Sequence, residues 1–132
     1  MEVAERRRKE LRERVEAARR FAEKARRALA PATAVIVGST ARGDFNVWSD
    51  IDVVIVSERF SENPLERFDV LIGFLEAGVE PIPLRPKDVY RLSEKNAPLV
   101  EEIANGIVIY DELGIVPRLK AKLLAPGRSR GG

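Results

Sequence analysis

The 132-residue sequence contains no cysteine and no histidine. Without cysteine, neither a disulfide framework nor a thiolate metal site can form. Without histidine, there is no Ser-His-Asp triad, no imidazole general base and no His-ligated zinc. Any chemistry must therefore use carboxylates, Lys, Arg, Ser, Thr or a bound metal ion.

The sequence also lacks a long apolar run, and its formal net charge is only +2. No stretch approaches the ~20 apolar residues that a membrane span requires, and the charged N-terminus has no signal-peptide core. We therefore expect a cytoplasmic protein that does not bind membranes. A chain with 45% hydrophobic and 33% charged residues fits one small domain with a heavily charged surface.

Residues 1–30 interleave acids and bases along an apolar pattern. The apolar positions recur at spacings of four and three, as on one helix face: Leu11, Val15, Ala18, Ala22, Ala25 and Leu29. The pairs Glu10–Arg14 and Glu16–Arg20 have the spacing of i,i+4 ion pairs. We predict a charged amphipathic helix that packs on the domain through this thin stripe. A dimer contact and a nucleic-acid surface are alternatives, the latter less favoured because the charges are mixed.

After Pro31 the pattern changes to short apolar runs that are typical of strands. Four such segments are expected, at residues 33–38, 50–57, 79–84 and 106–112. The second is apolar on both faces, which predicts a central, covered strand. The third contains two prolines, which confine it to the edge of a sheet.

Helices are predicted between these strands. They cover residues 61–78, residues 87–105 with a break near Asn96–Pro98, and a last turn around 117–125. The Leu65, Phe68, Leu71, Ile72 and Leu75 side chains line one side of the first of them. We expect an α+β fold with α/β character, in which helices pack on a small mixed sheet across residues 31–125. A disordered basic tail is predicted at 126–132.

Asp50 and Asp52 begin the second predicted strand, in the run SDIDVVIVS. Strand periodicity places both on one face, about 7 Å apart along the chain. Two ionised carboxylates this close repel each other. A divalent cation with oxygen ligands, Mg²⁺ or Mn²⁺, would relieve the repulsion. The plain alternative is a strand-end pair that faces water.

The first predicted strand ends in Gly38-Ser39, after which a short helix can begin. Gly38 lets the backbone approach a ligand closely, and N–H groups at a helix N-terminus attract anions. Ser39 adds a hydroxyl, and Arg42 adds a forked cation that suits phosphate. A phosphate-binding turn beside a carboxylate pair is typical of a nucleotide–metal site, and no Walker A spacing is present. Trp48, in the connecting loop, is expected to pack against the short helix, and stacking on a base is the alternative.

The segments GSTARG and SDIDVVIV together resemble the signature of the DNA polymerase beta-type nucleotidyltransferase superfamily. They are most similar to its minimal nucleotidyltransferases, the small prokaryotic MNT proteins. The resemblance is specific over residues 35–57 and implies that Gly38 and Ser39 hold the triphosphate of an NTP, ATP by preference. It also implies that Asp50 and Asp52 bind two Mg²⁺ ions. The implied reaction transfers a nucleoside monophosphate to an acceptor hydroxyl and releases pyrophosphate.

Related enzymes have a third carboxylate that completes the metal site and deprotonates the acceptor. We assign this role to Glu80, because it opens the extended segment VEPIPL and has apolar neighbours. Asp69 and Asp88 are alternatives. If no third carboxylate faced the aspartates, the chain would be a nucleotide-binding regulatory or interaction module without efficient catalysis.

The resemblance also suggests a partner. Minimal nucleotidyltransferases of this type are often paired with a HEPN-domain protein, in some cases as the antitoxin to a HEPN toxin. The acceptor hydroxyl would then belong to a side chain of that partner. A homo-oligomer is a further expectation. RNA binding through the arginine-rich helix ranks below both the enzyme and the interaction module.

Overall fold

Four strands form one mixed sheet in the computed structural model, which describes residues 2–125. The strands are β1 (Ala32–Val37), β2 (Ile51–Ser57), β3 (Val79–Leu84) and β4 (Ile107–Asp111), in the spatial order β3-β2-β1-β4. β1 runs antiparallel to both β2 and β4, whereas β2 and β3 are parallel. The predicted α+β fold and its four strands are confirmed.

Six α-helices surround this sheet within residues 2–125. They are α1 (Val3–Leu29), α2 (Gly38–Arg42), α3 (Pro64–Leu71), α4 (Pro86–Glu94), α5 (Pro98–Ala104) and α6 (Ile115–Leu124). The gap between α4 and α5 lies where Asn96–Pro98 predicted a break. Over this described part of the chain, no helix is long and apolar enough to cross a membrane. The predicted tail at 126–132 lies outside the described residues.

Helix α3 differs from its prediction. The α-helix ends at Leu71, followed only by a 3₁₀ turn at Ile72–Phe74, instead of continuing to residue 78. Of the apolar side chains expected to line one side, Leu71 is buried, whereas Leu65 is 81% and Ile72 71% exposed. The sequence pattern showed that these residues share a face, but it did not show whether anything covers that face.

Helix α1 packs one face against the sheet, as predicted. Its buried residues join the inward side chains of β1 and β2 in one core cluster: Ala17, Ala18, Phe21, Ala22, Ala25 and Leu29. The ion pairs predicted within this helix are wrong, because their arginines reach other elements. Arg14 turns to the loop that follows α2, and Arg20 pairs with Glu76, Nε to Oε1, at 2.9 Å.

The opposite face of the sheet is covered by α4, α5 and α6. Val54 and Val56 of β2 are fully buried there against Val100 and Ile103 of α5. β2 is thus central and covered on both faces, as its apolar run predicted. Since residues two apart in a strand share a face, Asp52 lies on the same side as these helices, at the end where β2 begins.

Candidate active site

The strand register brings two predicted site residues side by side. Asp52 of β2 is paired with Val37 of β1 on one side and with Glu80 of β3 on the other. Adjacent strands lie about 4.8 Å apart, and residues in register project to the same face. The carboxylates of Asp52 and Glu80 therefore lie next to each other at one end of the sheet, where the sequence placed the third carboxylate.

The electrostatics of Asp52 show that further acids converge on it. Burial raises the pKa of this half-buried carboxyl, and the negative charges of Asp50, Glu80 and Glu102 raise it further; Arg42 lowers it by less. Asp50 is exposed just before β2. The site thus gathers several like charges around one partly desolvated carboxylate, an arrangement that clusters at functional sites.

Gly38 packs directly against that carboxylate. Its φ of +71° lies in the left-handed region, and a Cβ added there would come within 2.5 Å of Asp52 Oδ2. Both the backbone conformation and the close approach require glycine. The turn predicted to bind phosphate and the carboxylate predicted to bind metal are therefore in contact.

Arg42, predicted to bind phosphate, already contacts two acids. Its Nε donates to Asp44 Oδ2 at 3.3 Å, and its Nη1 donates to Glu102 Oε1 at 3.2 Å. The arginine side chain is more than half exposed, and exposed ion pairs of this kind contribute little to stability. A phosphate could replace either carboxylate at small cost, and phosphate binding by Arg42 stays a prediction.

Glu102 is the residue that sequence analysis missed. It lies on α5, distant in sequence from both motifs, and contacts Arg42 while raising the pKa of Asp52. In the sequence it appears only as the second of two acids in a short helix. No local signal identifies it, because its place depends on how α5 packs on the sheet.

The alternatives to Glu80 lie elsewhere. Asp69 is exposed on α3. Asp88 accepts a hydrogen bond from Arg67 Nη1 at 2.9 Å and another from the Arg85 backbone N–H at 2.8 Å, so it caps α4. Trp48 is 88% exposed, and the prediction that it packs against the short helix is wrong.

The donor set fits a divalent cation in its chemistry. Within residues 2–125, no three acidic, histidine or cysteine side chains are grouped closely enough to hold a metal ion. Asp50, Asp52 and Glu80 nevertheless offer carboxylate oxygens, which Mg²⁺ and Mn²⁺ prefer as ligands. Their repulsion, visible in the raised pKa of Asp52, is what a bound cation would offset.

Comparison with known proteins identifies the sequence pattern and the fold. The model of the nucleotidyltransferase domain family matches residues 18–110, which begin inside α1 and include every site residue described above. A crystal structure of a candidate nucleotidyltransferase from Sulfolobus solfataricus has a similar fold. The two share 21% sequence identity over 77% of this chain and 84% of that one, with a TM-score of 0.59. No curated protein matches the chain.

Proposed function

The chain belongs to the nucleotidyltransferase domain family and is a nucleotidyltransferase. We propose that it transfers a nucleoside monophosphate from an NTP, ATP by preference, to an acceptor hydroxyl. Membership confirms the resemblance to the polymerase beta-type superfamily. The observation that best supports the specific reaction is the contact of Gly38 with Asp52, which is itself in register with Glu80. The turn at Gly38-Ser39, here called the phosphate turn, thus lies beside two carboxylates on adjacent strands.

In this proposal the turn after β1 binds the donor. The Gly38 backbone approaches the triphosphate without steric hindrance from a side chain, and the Ser39 hydroxyl donates to a phosphate oxygen. Arg42 exchanges one of its carboxylate partners for a phosphate, to which its planar guanidinium donates in a fixed fork. These groups orient the α-phosphate toward the carboxylates, so that attack becomes effectively unimolecular.

The carboxylates Asp50, Asp52 and Glu80 are the residues that would hold Mg²⁺ or Mn²⁺. When bound, the cation supplies charge neutralisation for the departing pyrophosphate and acidifies the acceptor hydroxyl. Glu80 accepts the hydroxyl proton as general base. The acceptor oxygen then bonds to the α-phosphorus while the bond from that phosphorus to the pyrophosphate oxygen breaks.

Label transfer tests this reaction. The protein is incubated with Mg²⁺ or Mn²⁺, α-labelled NTPs and candidate hydroxyl acceptors, beside an Asp52→Ala variant. We expect transfer by the wild type and a loss of about 10³-fold in the variant, or ~4 kcal/mol of transition-state stabilisation. Asp69→Ala, which removes an exposed carboxylate outside the site, is the matched control. The absence of transfer to every acceptor, or undiminished transfer by Asp52→Ala, would contradict the proposal.

We further propose that the acceptor belongs to a HEPN-type partner protein, and that the chain acts on it as an antitoxin. The supporting observation is the exposed apolar stripe of α3, its 3₁₀ turn and the residue that follows, because contiguous exposed apolar side chains often mark interaction sites. It consists of Leu65, Phe68, Ile72 and Leu75. Such a stripe also suits a module that works by complex formation alone.

Co-expression with a HEPN-type protein separates these two roles. If the partner is the acceptor, label from the α-position appears on it, and Asp52→Ala abolishes labelling while the complex still forms. If complex formation is the whole role, the proteins co-purify without labelling. Ile72→Glu, which places a charge in the stripe, is expected to weaken the complex in both cases. An undiminished complex in Ile72→Glu would contradict docking through α3.

A further inference from the structure

Two arginines of α1 reach across to the loop that leads from α2 into β2. This active-site loop, residues 43–50, ends at Asp50 and is too irregular to be held by strand pairing. We propose that Arg14 is a positioning residue that fixes this loop and thereby places Asp50 for the nucleotidyl transfer proposed above, on which the inference rests. Arg14 lies outside residues 18–110, the range that the family model matches.

Arg14 holds the loop through its backbone. Its Nη2 donates to the carbonyl oxygens of Asn46 and Ser49, at 2.7 Å each. Within the loop the same two residues bond each other, because the Ser49 N–H donates to the Asn46 carbonyl at 3.0 Å and the Asn46 N–H donates to Ser49 Oγ at 3.1 Å. The guanidinium therefore closes a small turn that already has its own hydrogen bonds.

Stacking on Phe45 fixes the guanidinium itself. The Phe45 ring is buried, with the Arg7 and Arg14 Cζ atoms 3.8 Å and 4.5 Å from its centroid. Arg7 adds hydrogen bonds from Nη2 to the carbonyls of Gly43, at 3.2 Å, and of Phe45. Stacked, forked guanidinium groups are geometrically specific, and a lysine cannot reproduce them.

The position of Asp50 follows from these contacts. On its N-terminal side, the Ser49 carbonyl is held by Arg14; on its C-terminal side, the Ile51 N–H donates to the Gly78 carbonyl at 2.8 Å. Asp50 is thus held between two fixed peptide groups, although its own side chain is exposed. Removing the Arg14 contact would release the peptide group on the N-terminal side of Asp50.

Arg14 also connects the loop to the phosphate turn. Its Nη1 donates to Thr40 Oγ1 at 3.4 Å, and Thr40 is a buried residue of α2, which begins at Gly38. One side chain thus contacts both the helix that follows the phosphate turn and the loop that delivers Asp50. It therefore links the two halves of the site, in addition to the pairing of β1 with β2.

The test compares Arg14→Gln and Arg14→Lys with Arg12→Gln, which removes an exposed arginine of the same helix. A misplacement of about 1 Å at a reacting group can lower the rate 10²-fold, so we expect kcat to fall ~100-fold in Arg14→Gln. The KM for the NTP should change little, because the turn at Gly38 remains in place. Arg14→Lys should be nearly as slow, and Arg12→Gln should match the wild type.

Amide hydrogen exchange tests positioning without any assay of activity. Hydrogen bonds to charged groups are strong enough that losing them should speed local opening of residues 43–50 by roughly tenfold or more. We expect this in Arg14→Gln, with exchange of β1 and β2 unchanged, and not in Arg12→Gln. Unchanged exchange in the loop of Arg14→Gln would overturn the inference, even if the wild type transferred no label. If Arg14→Gln transferred label with the wild-type kcat, the inference would be overturned too. A wild type that transfers no label would count against the proposed function alone.

Discussion

Asp52 and Asp88 are both half-buried carboxylates, but their surroundings are opposite. Around Asp88, burial raises the pKa, yet the Arg85 backbone N–H and the Arg67 guanidinium lower it more, so that it lies below its ordinary value. Around Asp52, burial and three neighbouring acids all raise the pKa, and Arg42 opposes them only weakly. Within residues 2–125, Asp88 has hydrogen-bonding partners, whereas the neighbours of Asp52 are mostly like charges.

The difference separates a carboxylate that stabilises the fold from one in the candidate active site. The pair of Asp88 with the 5% exposed Arg67 side chain ties α3 to the start of α4. Among residues 2–125, the repulsion at Asp52 is offset only in part, by the charge of Arg42. Natural proteins depart from local consistency mainly at functional sites, and here the departure lies where the family's motif lies.

The largest effect on stability is expected from Asp88→Ala. It leaves the buried Arg67 guanidinium without its carboxylate, and breaking a buried pair in this way costs about 3 kcal/mol. Urea unfolding should show that loss, whereas Asp69→Ala, an exposed carboxylate of α3, should change stability by less than about 0.5 kcal/mol. Equal stability of the two variants would remove the contrast between the paired and the unpaired acid.

Gly38→Ala should damage both fold and activity. Its Cβ would meet Asp52 Oδ2 at 2.5 Å, and φ of +71° is strained for alanine, at a cost of about 1–2 kcal/mol. Displacing the carboxylate should lower label transfer by about 10²-fold. Gly114→Ala, at the start of α6, is the control: its φ is +67°, but a Cβ there meets nothing within 4 Å. It should lose stability only, and equal activity losses in the two variants would argue against the contact with Asp52.

The smallest effect concerns pH. The folded state raises the pKa of Asp52 above that of an ordinary aspartate. The folded protein therefore loses stability relative to the unfolded chain as pH rises through the ordinary aspartate pKa and Asp52 ionises. Asp52→Asn removes that penalty, so in the presence of a chelator it should be as stable as the wild type near pH 3. It should be more stable near pH 7 by about 0.2–1 kcal/mol, the usual size of cross-strand charge effects. Urea titrations at both pH values measure this, and lower stability of Asp52→Asn at neutral pH would contradict it.

Sequence alone predicted the strands and the motif well, because both are local. Apolar β-branched runs identified β1 and β2, and the spacing of Gly38, Asp50 and Asp52 identified the family. Glu80 could be proposed because it opens the next extended segment. The parallel register of β3 with β2 places it beside Asp52, and its role as general base stays a prediction.

What the sequence could not show depends on packing between distant elements. Glu102 reaches the site from α5, and Arg14 reaches it from α1, instead of pairing with Glu10 as its i,i+4 spacing predicted. For Arg14 the local pattern fits a partner that the fold does not use, and for Glu102 no local pattern points to the site. Only the tertiary arrangement determines both contacts.

The two prolines of β3 have a consequence for how copies of this chain can associate. An edge strand is a template for strands of other molecules, but Pro81 and Pro83 have no N–H groups to offer. The edge that bears Glu80 therefore resists intermolecular sheet extension. The other edge, β4 (Ile107–Asp111), contains no proline. Strand addition between copies would therefore start at β4, two strands away from Asp52.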